Sequence, residues 1–300
     1  MRRQTVTGNS PIRLTAWLNA MFPMLPKRAA AGLLRSRDIR VNGKRTGEDV
    51  ELCPGDEVIL YAPDSLLDGP PLDVVYWNSA LLVAVKPAGV SSAAAGEADM
   101  EALAARWLEA AGEPPYAKAC HRLDNQTGGL MMLARSDAAE ACVRALMEAG
   151  KIVKTYHCIV RGVPQPPNAV LKAWMAKDEV RAHVRVLDKP APGARTAITE
   201  YKLMRTDGAR SLLEVTLHTG RTHQIRAHLA HIGHPLLGDD RYGDREFNRA
   251  YKARRQKLWA SRLEFRFSPG ECPELCQCAG MRLQRIAPFL SEVQEKNYTI

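Results

Sequence analysis

The sequence of 300 residues lacks long apolar runs and cofactor-binding motifs. No run of about 18 consecutive apolar residues occurs, which argues against a membrane-spanning helix. The first residues are basic and lead into polar residues and Pro11, without the apolar core of a signal peptide, so we expect a cytoplasmic protein. Neither a P-loop nor a G-x-G-x-x-G motif after a predicted strand is present, and nothing supports a nucleotide cofactor.

The sequence also lacks a disulfide framework and a recognisable metal motif. Its seven cysteines are an odd number scattered along the chain, which indicates reduced thiols. Cys272, Cys276 and Cys278 form a C-x3-C-x-C cluster, but a structural zinc site needs a fourth ligand. Of five histidines between positions 218 and 234, only His228 and His231 share a helical face, and no H-E-x-x-H motif occurs. We therefore predict no metal and no organic cofactor. A metal-dependent hydrolase built on these histidines is a rival hypothesis.

The sequence is rich in positive charge. The formal net charge is +9 and the isoelectric point is about 9.3. Residues 1–62 alone contain ten Lys and Arg against six Asp and Glu. A basic excess of this size favours a polyanionic partner, namely RNA, DNA or an anionic membrane surface.

The first 62 residues predict two helices followed by a small hairpin. Apolar residues recur at helical spacing from Ile12 to Met21 and again from Ala29 to Leu34. Ile39 to Lys44 reads as a strand that enters an Asn-Gly turn. This pattern resembles the S4 RNA-binding domain, and residues 33–44 carry most of the resemblance. The resemblance implies phosphate contacts that give affinity without base recognition, from Lys27, Arg28, Arg35, Arg37 and Lys44. The alternative is a solvated helical face.

Residues 63–73 predict a linker, because prolines and a glycine alternate with little apolar content and a Pro-Pro pair is stiff. We expect a second, larger domain over residues 74–300. Its first buried strand ends at Lys86-Pro87.

The stretch from His121 to Ala134 changes from charged to glycine-rich to apolar. Leu130 to Ala134 predicts a short buried strand, and Gly128 and Gly129 indicate a tight turn before it. A single carboxylate, Asp124, precedes the turn. A scaffold holds a nucleophile or a base on such a loop at the mouth of a buried strand. A surface loop with an Asx turn at Asp124 is the alternative.

Residues 121–130, HRLDNQTGGL, resemble the signature loop of the RluA family of RNA pseudouridine synthases. Three further segments resemble motifs of this family. Lys86 to Gly89 matches a Lys-Pro-x-Gly segment, residues 154–162 match the second motif, and residues 220–243 match the third. The resemblance covers most of the chain, with the S4-like unit over 12–62 and the catalytic domain over about 74–268.

The resemblance implies roles for several side chains. Asp124 would be the catalytic carboxylate, Arg221 would pair with it and keep it ionised, and Tyr156 would stack on the uracil and assist removal of the C5 proton. Substrate contacts would come from His121, Arg122, Ile225 and Lys86. Among these, Arg122 would fill the space left by a flipped base, and Ile225 would form part of an apolar wall.

The family implies an α+β fold with a mixed, largely antiparallel central sheet and flanking helices, preceded by the small α+β unit. We expect a pseudouridine synthase that acts on large-subunit ribosomal RNA as a monomer, without a required protein partner. The alternative is a non-catalytic RNA-binding or ribosome-assembly factor that retains the fold. One position departs from the family, which usually has Ser or Thr where this chain has Gly128, and we expect a looser loop there.

Overall fold

The computed structural model describes residues 1–22, 25, 27–68, 71–93, 99–178 and 183–294. The strands are β1 (Arg2–Thr5), β2 (Ile12–Arg13), β3 (Ile39–Val41), β4 (Lys44–Thr46), β5 (Glu51–Leu52), β6 (Glu57–Leu60), β7 (Asp73–Trp77), β8 (Leu81–Lys86), β9 (Lys118–Ala119), β10 (Gly128–Ala134), β11 (Ile152–Arg161), β12 (Asn168–Asp178), β13 (His183–Leu187), β14 (Arg195–Thr206), β15 (Arg210–Leu217), β16 (Leu258–Phe265) and β17 (Arg282–Gln284). The α-helices are α1 (Leu14–Met21), α2 (Lys27–Arg35), α3 (Asp64–Leu67), α4 (Met100–Ala110), α5 (Asp137–Glu148), α6 (Gln224–His231) and α7 (Arg245–Ala250). Two 3₁₀ turns span Pro269–Glu271 and Pro273–Cys278.

Two compact units share the chain, and their boundary differs from the predicted one. The first unit comprises Met1–Asp73 and Val90–Ala119, and the second comprises Val74–Gly89 and Cys120–Ile300. The sequence assigned residues 90–119 to the catalytic domain. In the structure Arg106, on α4, forms an ion pair with Asp68 at 3.4 Å, which ties this segment to the first unit.

The first unit contains the predicted helices and hairpin. A four-stranded sheet has the order β1-β6-β3-β4, and the turn between β3 and β4 places Asn42 and Gly43 at φ 49° and 79°. Both residues are in the left-handed region, as a tight hairpin turn requires. Leu14, Leu18 and Ile39 are fully buried in the core of this unit.

Part of the segment predicted as a linker is folded. Residues Asp64–Leu67 form α3, and Leu67 is fully buried in the core of the first unit. Arg2 donates to carboxylate oxygens of Asp64 and Asp68 at 2.8 and 2.6 Å. Leu67, together with the partly buried Leu66, therefore anchors a stretch whose composition indicated an extended connection. Residues 69–70 lie outside the described part of the chain.

The second unit is built on one large sheet of order β13-β12-β14-β15-β11-β16-β10-β8-β7, with β17 beside β16. Pairing is antiparallel from β13 through to β16. β10 pairs in parallel with β16 and antiparallel with β8. The predicted α+β class with a mixed, largely antiparallel sheet is thus confirmed. No helix in the described ranges is long and apolar enough to cross a membrane.

The loop before β10, the strand β11 and the helix α6 bring the side chains of the candidate site together. β10 is buried at every residue, because it lies in the interior of the sheet with apolar side chains on both faces. The loop before it carries Asp124. β11 carries Tyr156, and α6, whose residues from Gln224 to Leu229 are buried, carries Ile225 and Arg226.

Candidate active site

The backbone of the loop that carries Asp124 is fixed by hydrogen bonds. The N–H of Thr127 donates to the carbonyl of Asp124 at 2.9 Å and closes a turn. The carbonyl of Asn125 accepts from the N–H of Gly89 at 2.8 Å and from Nζ of Lys86 at 2.9 Å. The carboxylate of Asp124 therefore projects from a rigid turn.

Lys86 supports this loop from the interior. Its side chain is 0% exposed and also donates to the carbonyl of Pro87 at 3.1 Å. Burial lowers the pKa of Lys86 to about 8, although the charge of Asp124 partly opposes the shift. A side chain without exposed surface offers nothing to a substrate, which corrects the expected substrate contact: Lys86 positions the loop.

The cation that contacts Asp124 is Arg226. Its NH1 donates to Oδ2 of Asp124 at 3.1 Å. This corrects the predicted pairing with Arg221, whose Nε donates to the carbonyl of Thr196 at 3.1 Å. Arg221 precedes α6, whereas Arg226 lies within its first turn, so the two side chains leave the backbone in different directions.

A buried carboxylate holds Arg226 in place. Nε and NH2 of Arg226 donate to the two oxygens of Asp239 at 2.7 and 2.9 Å. The Oδ1 atom of Asp239 also accepts from the N–H groups of Arg241 and Tyr242, both at 2.9 Å. Burial alone would lower the pKa of Arg226, but its bonds to Asp239 and Asp124 raise it above its usual value. The arrangement is a chain from Asp239 through Arg226 to Asp124.

A small cavity of about 50 Å³ lies against the Asp124 carboxylate. Five predicted site residues line it, namely Arg122, Asp124, Tyr156, Arg221 and Ile225. Tyr156 is 5% exposed, and its burial, with the nearby charge of Asp124, raises its pKa well above the usual value of a phenol. Its hydroxyl is therefore protonated at neutral pH. Arg122 is exposed at the rim, and Ile225 is buried.

His121 lies apart from this cavity. Its Nε2 accepts from the N–H of Met132 at 3.2 Å. Burial, with the charge of Lys154 nearby, lowers its pKa to about 3. A neutral imidazole bonded to the strand supports the loop, in contrast to the predicted substrate contact.

The sequence did not identify Arg226, Asp239, His223 and Tyr242 as site residues. His223 lines the cavity with a left-handed φ of 54°, and its Nδ1 lies 2.9 Å from the hydroxyl of Tyr242. The same hydroxyl accepts from the N–H of Val184 at 2.8 Å. All four belong to the third motif. The signal that could have revealed Arg226 is its position next to Ile225 in the predicted helix, with an acidic residue later in the same motif.

Gly128 does not make the loop looser, in contrast to the expectation from the sequence. It opens β10, and a Cβ added to it would lie 2.6 Å from Cζ3 of Trp259. The indole ring thus occupies the space that a Ser or Thr side chain would need.

In the described part of the chain, the histidines between positions 218 and 234 do not form a metal site. His218, His228 and His231 bond to Glu200, Thr199 and Asp188 respectively. Among the residues that the structure describes, three ligand atoms that could hold a metal come together elsewhere. They belong to Cys142, Cys272 and Glu274 and lie within 4.8 Å of one another. The sequence did not anticipate Cys142 there. Three donors are one fewer than a closed structural zinc site uses.

A family model described as RNA pseudouridylate synthase matches residues 80–231. The chain belongs to this family. The synthase is 33% identical over 247 residues to ribosomal large subunit pseudouridine synthase D of Yersinia pestis, covering 78% of this chain and 73% of that protein. It is 29% identical over 299 residues to ribosomal large subunit pseudouridine synthase C of Vibrio vulnificus (strain CMCP6), covering 93% of this chain and 92% of that protein.

A solved structure has the same fold as the synthase. Human RNA pseudouridylate synthase domain containing 1 superposes with a TM-score of 0.59 at 22% identity. The superposition covers 74% of this chain and 86% of the human one. The family match and the relative from Yersinia pestis show that the synthase is an isomerase of this family, and the predicted family and enzyme class are confirmed.

Proposed function

We propose that this synthase isomerises a uridine of large-subunit ribosomal RNA and that Asp124 is the reacting carboxylate. The observation that carries the proposal is the carboxylate of Asp124 at a small cavity, bonded at 3.1 Å to a buried guanidinium. The names of the relatives from Yersinia pestis and Vibrio vulnificus support the substrate class.

The reaction requires one bond to break and another to form. The N1–C1′ bond of the uridine breaks, the uracil turns within the site and C5 bonds to C1′. The proton lost from C5 is balanced by a proton gained at N1. Asp124 acts either as a nucleophile, at C1′ or on the ring, or as a base that drives elimination to a glycal. Both routes need the carboxylate held at the cavity, and the hydrogen bond from Arg226 fixes its position there.

The other residues of the cavity fit the handling of a flipped base. Tyr156 and Ile225 offer an aromatic and an aliphatic surface to the uracil. The phenol of Tyr156 is neutral, since burial raises its pKa, and this favours stacking over proton abstraction as its role. We assign the exposed Arg122 to the space that the flipped base leaves in the RNA. Unstacking a base costs a few kcal/mol, which contacts to the RNA must offset.

The first unit supplies a surface for such contacts. Lys27, Arg28, Arg35, Arg37 and Lys44 are all exposed. We assign them to phosphate contacts, consistent with the resemblance of this unit to the S4 domain. The synthase would work in the cytoplasm, where its ribosomal substrate is found, as a monomer.

The decisive experiment replaces Asp124 by Asn and maps pseudouridines in total RNA from cells with the wild-type gene, the variant or no gene. We expect one or more sites in large-subunit ribosomal RNA that disappear equally in the variant and the deletion. RNA affinity of the variant should stay within a few-fold of wild type, and Asp188→Asn, at an exposed carboxylate, should behave as wild type. Full modification by Asp124→Asn would overturn the assignment of the carboxylate. Identical maps with and without the gene would favour a non-catalytic RNA-binding factor.

A further inference from the structure

A second, larger cavity adjoins the one that contains Asp124. Its volume is about 710 Å³, and Arg221 lines both cavities. Most of the charged side chains that line it are cationic. Two are glutamates, and five are basic, namely Arg144, Lys154, Arg221, Arg262 and Arg266. A wall of this charge attracts anions.

Three of the five cations already have carboxylate partners. Arg144 contacts Glu140, Arg262 contacts Glu214 at 3.1 Å, and Arg266 contacts Glu264 at 2.6 Å. Within the described ranges, Lys154 and Arg221 have none. Arg221 uses Nε for the carbonyl of Thr196, which leaves its two terminal nitrogens for another acceptor.

Lys154 is partly buried and has no counter-ion among the residues that the structure describes. Burial lowers its pKa to about 8. Its Nζ lies 3.7 Å from the position that a Cβ on Gly220 would take, so the ammonium lies beside the backbone that leads into Arg221. A buried charge without a partner is costly, and an anion held between Lys154 and Arg221 would offset that cost.

The strand places this pair next to the base cavity. Lys154 and Tyr156 are two residues apart on β11 and project to the same side, about 6.7 Å apart along the strand. Tyr156 and Arg221 both line the base cavity. Lys154 and Arg221 therefore lie about one nucleotide away from the cavity in which the uracil would stack.

We propose that Lys154 and Arg221 together bind the backbone phosphate that adjoins the flipped uridine. The inference rests on the proposed function and names a subsite of the same active site. A guanidinium and an ammonium on one phosphate give charge-assisted hydrogen bonds. They also fix the ribose relative to Asp124, so their loss affects turnover as well as affinity.

The first test measures binding to transcribed large-subunit ribosomal RNA as a function of salt. Lys154→Gln and Arg221→Gln should each weaken binding and reduce the slope of log K against log salt by about 0.7 to 0.9. The double variant should lose less than the sum of the two, because both side chains share one phosphate. Arg266→Gln is the matched control, since Arg266 lines the same cavity but is paired, and its slope should equal that of wild type.

The second test removes the phosphate charge from the RNA. Oligonucleotides around the mapped uridine carry a neutral methylphosphonate at the adjoining phosphate or three nucleotides away. The adjoining substitution should lower kcat/KM of wild type about 10-fold or more, with little further loss in Lys154→Gln or Arg221→Gln, while the distant one should affect all proteins equally.

The two tests separate failure of this inference from failure of the proposed function. Pseudouridine formation by wild type with unchanged salt slopes in both variants would overturn the phosphate subsite alone, as would equal losses from the methylphosphonate in wild type and variants. A wild-type protein that forms no pseudouridine in the mapped RNA would overturn the function itself. Thermal unfolding verifies that each variant is folded.

Discussion

Arg226 donates from NH1 to Oδ2 of Asp124 at 3.1 Å, across 102 residues of sequence. Arg221, five residues earlier, has no part in this bond. Helix α6 begins at Gln224, between the two arginines. Arg226 therefore lies inside the helix, whereas Arg221 lies in the segment before it. We therefore expect different effects from substitutions of Arg226 and of Arg221.

Replacing Arg226 should reduce both stability and turnover. Arg226→Met leaves the buried carboxylate of Asp239 without its cation, which costs about 3–5 kcal/mol. Arg226→Lys retains the charge but cannot form the two-pronged contact, so we expect a folded protein with kcat lower by about 100-fold. Urea unfolding and single-turnover pseudouridine assays measure the two effects. Wild-type turnover in Arg226→Lys would contradict this role.

Asp239 should act on catalysis through Arg226. Asp239→Asn removes the charge that holds the guanidinium, so kcat should fall on the order of 100-fold while KM for RNA stays within a few-fold. Asp240→Asn is the matched control, because Asp240 also lies 3.4 Å from NH2 of Arg226 but its side chain is 84% exposed, so that solvent weakens this contact. We expect it to be within twofold of wild type. Equal effects of the two substitutions would argue against a positioning role.

Lys154 should make stability depend on pH in a defined direction. Its pKa is lowered to about 8 in the folded protein from 10.5, so the unfolded chain binds more protons between these values. Stability therefore rises as pH increases from about 8 to about 10.5, and the cost of charging Lys154 is fully present below pH 8. Lys154→Met removes that cost and should be more stable than wild type at pH 7 by on the order of 1–3 kcal/mol.

The gain from Lys154→Met should shrink towards pH 10.5. Lys151→Met is the control, since Lys151 is partly exposed and paired with Glu271. Denaturant unfolding at several pH values gives both curves. A variant less stable than wild type at pH 7 would show that Lys154 has a stabilising partner.

Gly128 and Trp259 should be coupled. Gly128→Ser places an atom within 2.6 Å of the indole ring and should cost about 1–3 kcal/mol. In a background of Trp259→Leu the same substitution should cost less, because the smaller side chain leaves room. A double-mutant cycle on unfolding free energies measures the coupling. Additive effects would mean that the ring moves aside without cost.

The exposed basic residues of the first unit should increase the affinity for RNA without affecting the turnover rate. Neutralising Arg35, Arg37 and Lys44 together as Gln should weaken RNA binding and flatten its salt dependence, with kcat at saturating RNA unchanged. Arg282→Gln, an exposed cation of the second unit, controls for the loss of general charge. An unchanged salt slope would show that this face does not contact phosphates.

Local pattern was sufficient for much of the fold. The Asn-Gly hairpin, the helix at Leu14–Met21 and the buried strand over Leu130–Ala134 depend on neighbouring residues, and the structure has each of them. The turn predicted at Gly128 and Gly129 was wrong, because both glycines belong to β10. Asp124, Tyr156 and Ile225, which the family resemblance assigned to one site, line the same small cavity, and their roles stay predictions.

What the sequence could not show depends on side-chain direction and distant contacts. The sequence of the third motif does not distinguish Arg221 from Arg226. The position at which α6 begins determines which of the two contacts Asp124. The burial of Lys86 and Leu67 arises from packing that no local pattern records. Trp259, 131 positions beyond Gly128, explains why a glycine replaces the usual hydroxyl residue.

The position of β16 has a consequence for how the enzyme matures. This strand lies between β10 and β11 in the sheet, so the loop of Asp124 and the strand of Tyr156 are held two strand spacings apart, about 10 Å, by residues 258–265. Asp124, Tyr156 and Arg226 are all translated before it. A nascent chain that already contains every proposed catalytic residue therefore lacks the strand that sets their spacing, and the enzyme becomes competent only when its last central strand is inserted.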